Sequence, residues 1–204
     1  TKCDWREATD ELGTRFEIGF NTYKPFACGI VVHPAIEACT RLREQGISAE
    51  QVTRIELEVH PLVLELTGKK EPADGLSAKF SVYHACAAGL VFGRAGEAEF
   101  ADAVVARPDL VALRRKVVAR ADARIAEDAV ELRSTLADGR VVAVSIDHAV
   151  GSLLRPMSDA ALDAKCHDLM DPILGAARAA EVIAVARSAA TLNDLHELVS
   201  LTRP

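Results

Sequence analysis

Five polar side chains in the sequence are of types that could take part in acid–base chemistry. They share a position in or beside a loop-to-helix junction, and they are Lys24, His33, Lys79, Ser81 and His84. A Lys ammonium group binds carboxylates, and a His imidazole exchanges a proton near neutral pH. Taken alone, most loop lysines are solvated, and a His on an apolar helix face is more often a buried structural residue. The residue types therefore permit chemistry on an anionic substrate without requiring it.

Other familiar site patterns are missing from the sequence. No nucleophile motif, P-loop or dinucleotide fingerprint occurs, and GLVFGRAG (residues 89–96) has the glycines without the strand–turn–helix context. The five cysteines form an odd and scattered set, which favours reduced thiols over a disulfide framework. No Cys–His pair has a matching second pair, so we expect no metal site.

Composition and charge narrow the class of protein further. The 204 residues carry 24 Lys and Arg against 30 Asp and Glu, a net charge of −6, and no basic run is long enough to follow a phosphate backbone. No apolar run reaches the roughly 18 residues of a membrane-spanning helix, and no signal-peptide pattern opens the chain. We therefore expect a cytoplasmic protein that binds neither nucleic acid nor membranes.

The elements around the first two candidate residues follow from periodicity and turn residues. Residues 12–20 alternate as a β-strand would, and residues 22–34 predict a loop in which Pro25 restrains Lys24 to an extended conformation. Pro34 suits the first turn of the helix that follows. The loop is therefore expected to present its lysine between a strand and a helix.

The remaining patterns predict an α+β fold. Residues 52–60 alternate as a half-buried strand, residues 80–92 and PDLVALRRKV predict helices, and residues 128–147 predict an antiparallel hairpin with its turn at Ala-Asp-Gly. We expect a small mixed α+β domain in residues 1–155 and purely helical structure in residues 156–204.

Three blocks of the sequence resemble the MmgE/PrpD family. The first, LGTRFEIGFNTYKPFACGIVVHPAIEA, has the family's Leu-Gly, aromatic-containing strand, Lys-Pro-aromatic-x-Cys loop and His-Pro-x-Ile helix. The second, SAKFSVYHACAAGL, is similar to its Lys/Arg-Phe-Ser helix start, and the third, LADGR followed by PMSDAALDAKCHDLM, to its hairpin turn and Pro-x-Ser-Asp helix. The blocks occur in the family's order and together cover nearly the whole chain.

The resemblance implies the family's C-terminal part, a lid domain over an active site followed by helices that return to a large all-helical domain. That domain is normally encoded N-terminally, so we expect a helical domain or subunit as partner, and we also expect a homodimer. Family members act without metal or organic cofactor on small polycarboxylates, by 2-methylcitrate dehydration, cis-aconitate decarboxylation or iminodisuccinate epimerisation. The shared step is proton movement at a carbon next to a carboxylate, or the matching elimination.

The resemblance also assigns roles by position. Lys24 matches the lid-loop Lys that faces the substrate, as carboxylate anchor or as acid and base, and His33 matches the His at the end of that loop, as a catalytic or supporting residue. Lys79, Ser81 and His84 match the family's second block and are substrate-binding candidates, although many members carry Tyr at the last position.

One departure from the family pattern narrows the reaction. Gly29 stands where the decarboxylase-like members have a catalytic His, which argues against cis-aconitate decarboxylation. The resemblance therefore implies a hydro-lyase or an epimerase that is inactive as this chain alone. The alternative is a dimerisation or interaction module without catalytic activity.

Overall fold

The fold is organised by a sheet whose strands alternate between apolar and polar side chains. The computed structural model describes residues 4–203 of the chain. Their strands are β1 (Val52–Val59), β2 (Val117–Ala121), β3 (Val130–Leu136) and β4 (Val141–Ile146), in the order β2–β1–β3–β4. β1 runs parallel to β2 and antiparallel to β3, and β3 and β4 form the hairpin. The sheet is therefore mixed.

One face of this sheet is apolar and buried because successive side chains of a strand point to opposite sides. Ile55 and Leu57 of β1 and Leu132 of β3 are fully buried on that face, whereas Glu58 is exposed on the other. Helices cover only the apolar face, which makes the domain two-layered.

Nine α-helices occur in the described residues. They are α1 (His33–Glu44), α2 (Pro61–Thr67), α3 (Gly75–Ala78), α4 (Val82–Phe92), α5 (Asp102–Val105), α6 (Pro108–Arg114), α7 (Asp159–Leu174), α8 (Ala176–Arg187) and α9 (His196–Leu201). The first and fourth pack on each other over the sheet. Gly89 permits this close approach, since a Cβ atom there would lie 2.7 Å from the carbonyl oxygen of Ile36.

Local sequence sets the start of the helices that border the candidate site. Pro34 occupies the first turn of α1, where a missing N–H costs nothing. The Ser81 hydroxyl accepts from the amide of His84 (3.1 Å) and caps α4, which ends at Gly93 in the left-handed conformation (φ 71°). Ser158 caps α7 in the same way.

The α+β class predicted from the sequence is confirmed, as are the strand at residues 52–60, the hairpin and the principal helices. The predicted strand at residues 12–20 is wrong. Glu17–Phe20 form a 3₁₀ turn, and Leu12 and Ile18 are 79% and 77% exposed. No strand of residues 4–203 pairs with this segment, so its alternating side chains have no sheet face on which to pack. β2, which lies parallel to β1, was not predicted.

Three further observations concern the described residues. None of the helices within residues 4–203 combines the length and apolar character needed to cross a membrane. Of the five cysteines, Cys28, Cys39, Cys86 and Cys166 are free thiols, and Cys3 lies outside the described residues. The boundary predicted at residues 155/156 falls between β4 and α7.

Candidate active site

A cavity of about 470 Å³ opens where the loop before α1, the segment between α3 and α4, and helix α7 meet. Its polar lining consists of three lysines and two carboxylates, namely Lys24, Lys79, Lys165, Glu97 and Asp168. Apolar side chains such as Phe26, Phe80 and Leu169 complete the wall. The volume and the mixture of an apolar wall with a few charged groups are typical of a small-molecule site.

The Lys24 loop (residues 22–29) carries its lysine to this cavity. The amide of Tyr23 donates to the carbonyl oxygen of Gly151 (3.3 Å), and the amide of Gly29 donates to the carbonyl oxygen of Lys79 (3.0 Å). These bonds tie both ends of the loop to the rest of the fold. The loop is therefore a fixed part of the cavity wall, as catalysis and binding require.

Lys24 combines a tethered position with available hydrogen-bond donors. Its Nζ donates to the carbonyl oxygen of Cys28 (3.4 Å). An ammonium group has three N–H donors, so this contact leaves donors for a carboxylate in the cavity. Burial raises the pKa of the Cys28 thiol to about 12 against the opposing charges of Lys24 and Lys79, so the thiol is neutral near pH 7 and is a poor nucleophile. The lysine is therefore the candidate functional group of this loop.

Lys79 reaches the cavity from the C-terminal end of α3. Its Nζ forms an ion pair with both carboxylate oxygens of Glu97, at 2.8 and 2.7 Å. The Lys79 side chain is 27% exposed and that of Glu97 55%. The pair lies at the mouth of the cavity, and its two charges offset each other.

Lys165 was not predicted as a site residue, and α7 brings it to the cavity. Asp168, on the same helix, is held by Arg94 (3.2 Å), which also donates to Glu99 (2.8 Å). These contacts fix α7 against the turn after α4. In the part of the chain that the structure describes, neither Lys24 nor Lys165 forms an ion pair with a carboxylate.

His33 begins α1 behind the Lys24 loop and is 1% exposed. Its ring packs edge-on against Phe26, with 5.3 Å between ring centroids. Burial lowers the pKa of His33 to about 4, an interaction with the Cys28 backbone opposes this shift, and the charges of Lys24 and Lys165 add to it. The imidazole is therefore neutral near pH 7. It lines a second, smaller cavity of about 160 Å³ and not the first.

Ser81 and His84 lie outside the lining of the large cavity. The Ser81 hydroxyl caps α4 and donates to the carbonyl oxygen of Lys69. The His84 ring is fully buried, with Nε2 3.0 Å from the carbonyl oxygen of Glu99, and burial lowers its pKa. Both side chains therefore form hydrogen bonds that hold the start of α4 and the backbone at Glu99. That they bind a substrate stays a prediction.

The fold and site thus define a small α+β domain with a cation-lined cavity at its edge. Within residues 4–203, no cluster of three or more His, Cys, Asp or Glu side chains could hold a metal ion. The sequence model of the MmgE/PrpD C-terminal domain matches residues 26–190. The chain belongs to the MmgE/PrpD family, as the three sequence blocks indicated.

The family match begins at Phe26, two residues after Lys24, and ends at Ala190, so it includes the cavity wall except Lys24 and Pro25. It is consistent with the fold of a lyase or isomerase. Comparison with curated proteins gave no match.

Proposed function

We propose that this chain is the lid part of a lyase or isomerase that acts on a small polycarboxylate, as a hydro-lyase of the 2-methylcitrate dehydratase type or as an epimerase. The observation that supports this proposal best is the convergence of Lys24, Lys79 and Lys165 on one cavity, in a chain of the MmgE/PrpD family. A substrate with several carboxylates matches a cavity with several ammonium groups in charge and in hydrogen bonding.

The proposed chemistry is removal of a proton from a carbon next to a carboxylate. As that proton leaves, negative charge grows on the carboxylate oxygens, and a cation beside them stabilises the transition state more than the bound substrate. In this proposal Lys24, which lines the cavity, supplies this cation, or transfers the proton itself after losing its own. His33, neutral and behind Phe26, supports the loop rather than meeting the substrate. No cofactor is part of the proposal.

The surroundings of Gly29 favour a hydro-lyase or epimerase over a decarboxylase. A Cβ atom at this position would lie 3.0 Å from Cγ2 of Thr67 and 3.6 Å from the carbonyl oxygen of Lys79. A His side chain there would need the Thr67 methyl group to move. The position that carries a catalytic His in decarboxylase-like members is therefore tightly packed in this chain, and it carries no side chain.

The cavity is open on one side, and we propose that a helical domain or subunit closes it and supplies further catalytic groups. Exposed apolar side chains suit such a partner, among them Leu76 and Leu169 at the rim of the cavity. On this account the chain alone binds carboxylates without turning them over.

A second function, an interaction module without catalysis, has its own support. The segment before the Lys24 loop exposes large apolar side chains, including Trp5, Leu12, Phe16 and Ile18. Such side chains are typical of a surface that a partner covers. If this were the whole function, the cavity lysines would be dispensable.

A substrate screen separates the two functions. Citrate, 2-methylcitrate, aconitate and iminodisuccinate are each incubated in D₂O with the chain assembled with the helical partner, and with the chain alone. The proposal predicts dehydration, hydration or deuterium exchange at the carbon next to a carboxylate for at least one compound in the assembled protein only. A complex that forms and leaves all four compounds unchanged would favour the interaction module.

A further inference from the structure

We infer that Lys165, on helix α7, binds a second carboxylate group of the ligand, so that the cavity selects dicarboxylates and tricarboxylates over monocarboxylates. The inference rests on the proposed function, because it assigns the second anionic group of the same ligand. It adds a specificity-determining residue that lies far from the Lys24 loop in the sequence.

The first argument for a ligand contact at Lys165 comes from the distribution of charge around the cavity. Glu97 offsets the charge of Lys79, and Asp168 forms an ion pair with Arg94, which Glu99 shares. Among the polar groups of the wall that the structure describes, these pairs leave the ammonium groups of Lys24 and Lys165 for an anionic ligand. Two cations on two different elements match a molecule that carries two separated carboxylates.

The second argument comes from the position of Lys165 on α7. Residues three and four apart share one face of a helix, and Lys165, Asp168 and Leu169 follow this spacing. All three line the cavity. The ion pair between Asp168 and Arg94 (3.2 Å) ties this part of α7 to the segment after α4, which also contributes to the cavity wall.

The third argument comes from the cavity that the two lysines share and from its volume. Both lysines line the same cavity, Lys24 from the loop before α1 and Lys165 from α7. A small molecule bound in this cavity therefore lies beside both residues. A cavity of about 470 Å³ lies within the size range of sites for small organic ligands.

The test compares a dicarboxylate with a monocarboxylate of the same chain length. Succinate and butyrate are titrated into the chain at low ionic strength, with binding followed by NMR chemical shifts. Lys165→Gln is expected to weaken succinate binding about tenfold, the effect of one charge-assisted contact, and to change butyrate binding less than twofold. Lys24→Gln is expected to weaken both. Lys165→Arg is expected to restore most of the succinate affinity, because it keeps the charge.

Lys70→Gln is the matched control, since Lys70 is an exposed lysine outside the cavity. The circular dichroism spectrum of each variant checks that the fold is retained. Unchanged succinate binding in Lys165→Gln, with weaker binding in Lys24→Gln, would overturn this inference and leave the proposed function in place. Equal binding of both compounds by all variants would contradict the inference and the proposed function together.

Discussion

The Nζ atom of Lys79 lies 2.7 Å from Oε2 of Glu97, so a carboxylate of the protein already occupies one of the three ammonium groups of the cavity. In the described residues this contact distinguishes the three lysines of the cavity. Lys79 is paired with a carboxylate of the protein, and Lys24 and Lys165 are not.

Removal of the Glu97 charge is therefore expected to improve binding. Glu97→Gln frees Lys79 and is expected to tighten citrate binding about twofold to fivefold, the range for a partly exposed ion pair. The free energy of unfolding should change by less than about 1 kcal/mol. Isothermal titration calorimetry with citrate measures the effect, with Glu71→Gln as control, because Glu71 is ion-paired to Arg115 elsewhere. Citrate binding that is unchanged or weaker in Glu97→Gln would contradict the prediction that the Glu97 carboxylate competes with the ligand for Lys79.

His33 is expected to make the stability depend on pH. Its pKa is about 4 in the folded chain and about 6.5 when unfolded, so between these values the unfolded chain holds a proton that the folded chain lacks. Stability therefore falls as the pH falls through this range, by about 2 kcal/mol between pH 7 and pH 5. His84 acts in the same direction, because burial lowers its pKa too.

Urea unfolding of the wild-type chain and of His33→Gln at both pH values isolates the contribution of His33. The variant is expected to lose most of that 2 kcal/mol difference while keeping the contributions of the other groups. Equal pH dependence in the two proteins would contradict a neutral His33. As an independent check, Lys24→Gln should raise the pKa of His33 in an NMR titration, since the Lys24 charge lowers it.

The glycine that supports the Lys24 loop offers a test of its attachment. Gly151 has φ +89°, and a Cβ atom there would overlap the carbonyl oxygen of Tyr23 and lie 2.9 Å from Cδ of Pro25. Gly139, at φ +87°, has no neighbouring atom within 4 Å of such a Cβ in the described structure.

Both substitutions by Ala strain the backbone, and only one displaces the loop. Gly139→Ala is expected to cost about 1 kcal/mol and Gly151→Ala at least about 2 kcal/mol. Thermal unfolding measures the difference, and NMR shifts of the Lys24 loop should change only in Gly151→Ala. Equal costs would mean that the loop does not rest on Gly151.

Much of the fold could be predicted from the sequence, because its strongest signals are local. The alternation in residues 52–60 and the Ala-Asp-Gly turn specify a strand and a hairpin with little tertiary information. Residues 12–20 show the same kind of alternation and form no strand, because strand formation also requires a neighbour that periodicity does not reveal. β2 is only five residues long and lies half exposed at the sheet edge, so its pattern is weak.

The candidate site could also be predicted in part, because some of its residues stand in local sequence motifs. Lys24 and Lys79 stand in motifs, and both line the cavity. Lys165 occupies an ordinary position on α7, outside any recognised motif, and only the packing of this helix brings it to the same cavity as Lys24. Ser81 and His84 stand in a motif as well, yet their polar atoms serve the start of α4 and the backbone at Glu99.

Self-association of the chain is a further prediction. Ile173, at the end of α7, is 68% exposed, and Leu195 and Val199 are exposed on the following segments, so we expect dimers or larger species at high concentration. Sedimentation velocity measures this. Ile173→Lys should shift the chain towards monomer, whereas Val141→Lys, at a position 60% exposed on β4, should not. A monomer at all concentrations would contradict the prediction.

The proposed catalytic role of Lys24 is tested by substituting this residue. We expect Lys24→Ala to lower kcat/KM by about two to four orders of magnitude in the protein assembled with its helical partner, the range for loss of a positioned cation or acid–base group. The stability should change by only about 0.5 kcal/mol, because the side chain is exposed on a loop. Lys24→Arg should restore much of the activity if Lys24 anchors a carboxylate, and none if it transfers a proton.

The most direct measurement is the rate at which the assembled protein exchanges deuterium from D₂O into the carbon next to a carboxylate of its best polycarboxylate substrate. Wild-type protein, Lys24→Ala and the control Lys70→Ala are compared at the same substrate concentration. The account predicts exchange in the wild type and in Lys70→Ala, and a loss of about a hundredfold or more in Lys24→Ala. Exchange at the wild-type rate in Lys24→Ala would contradict it.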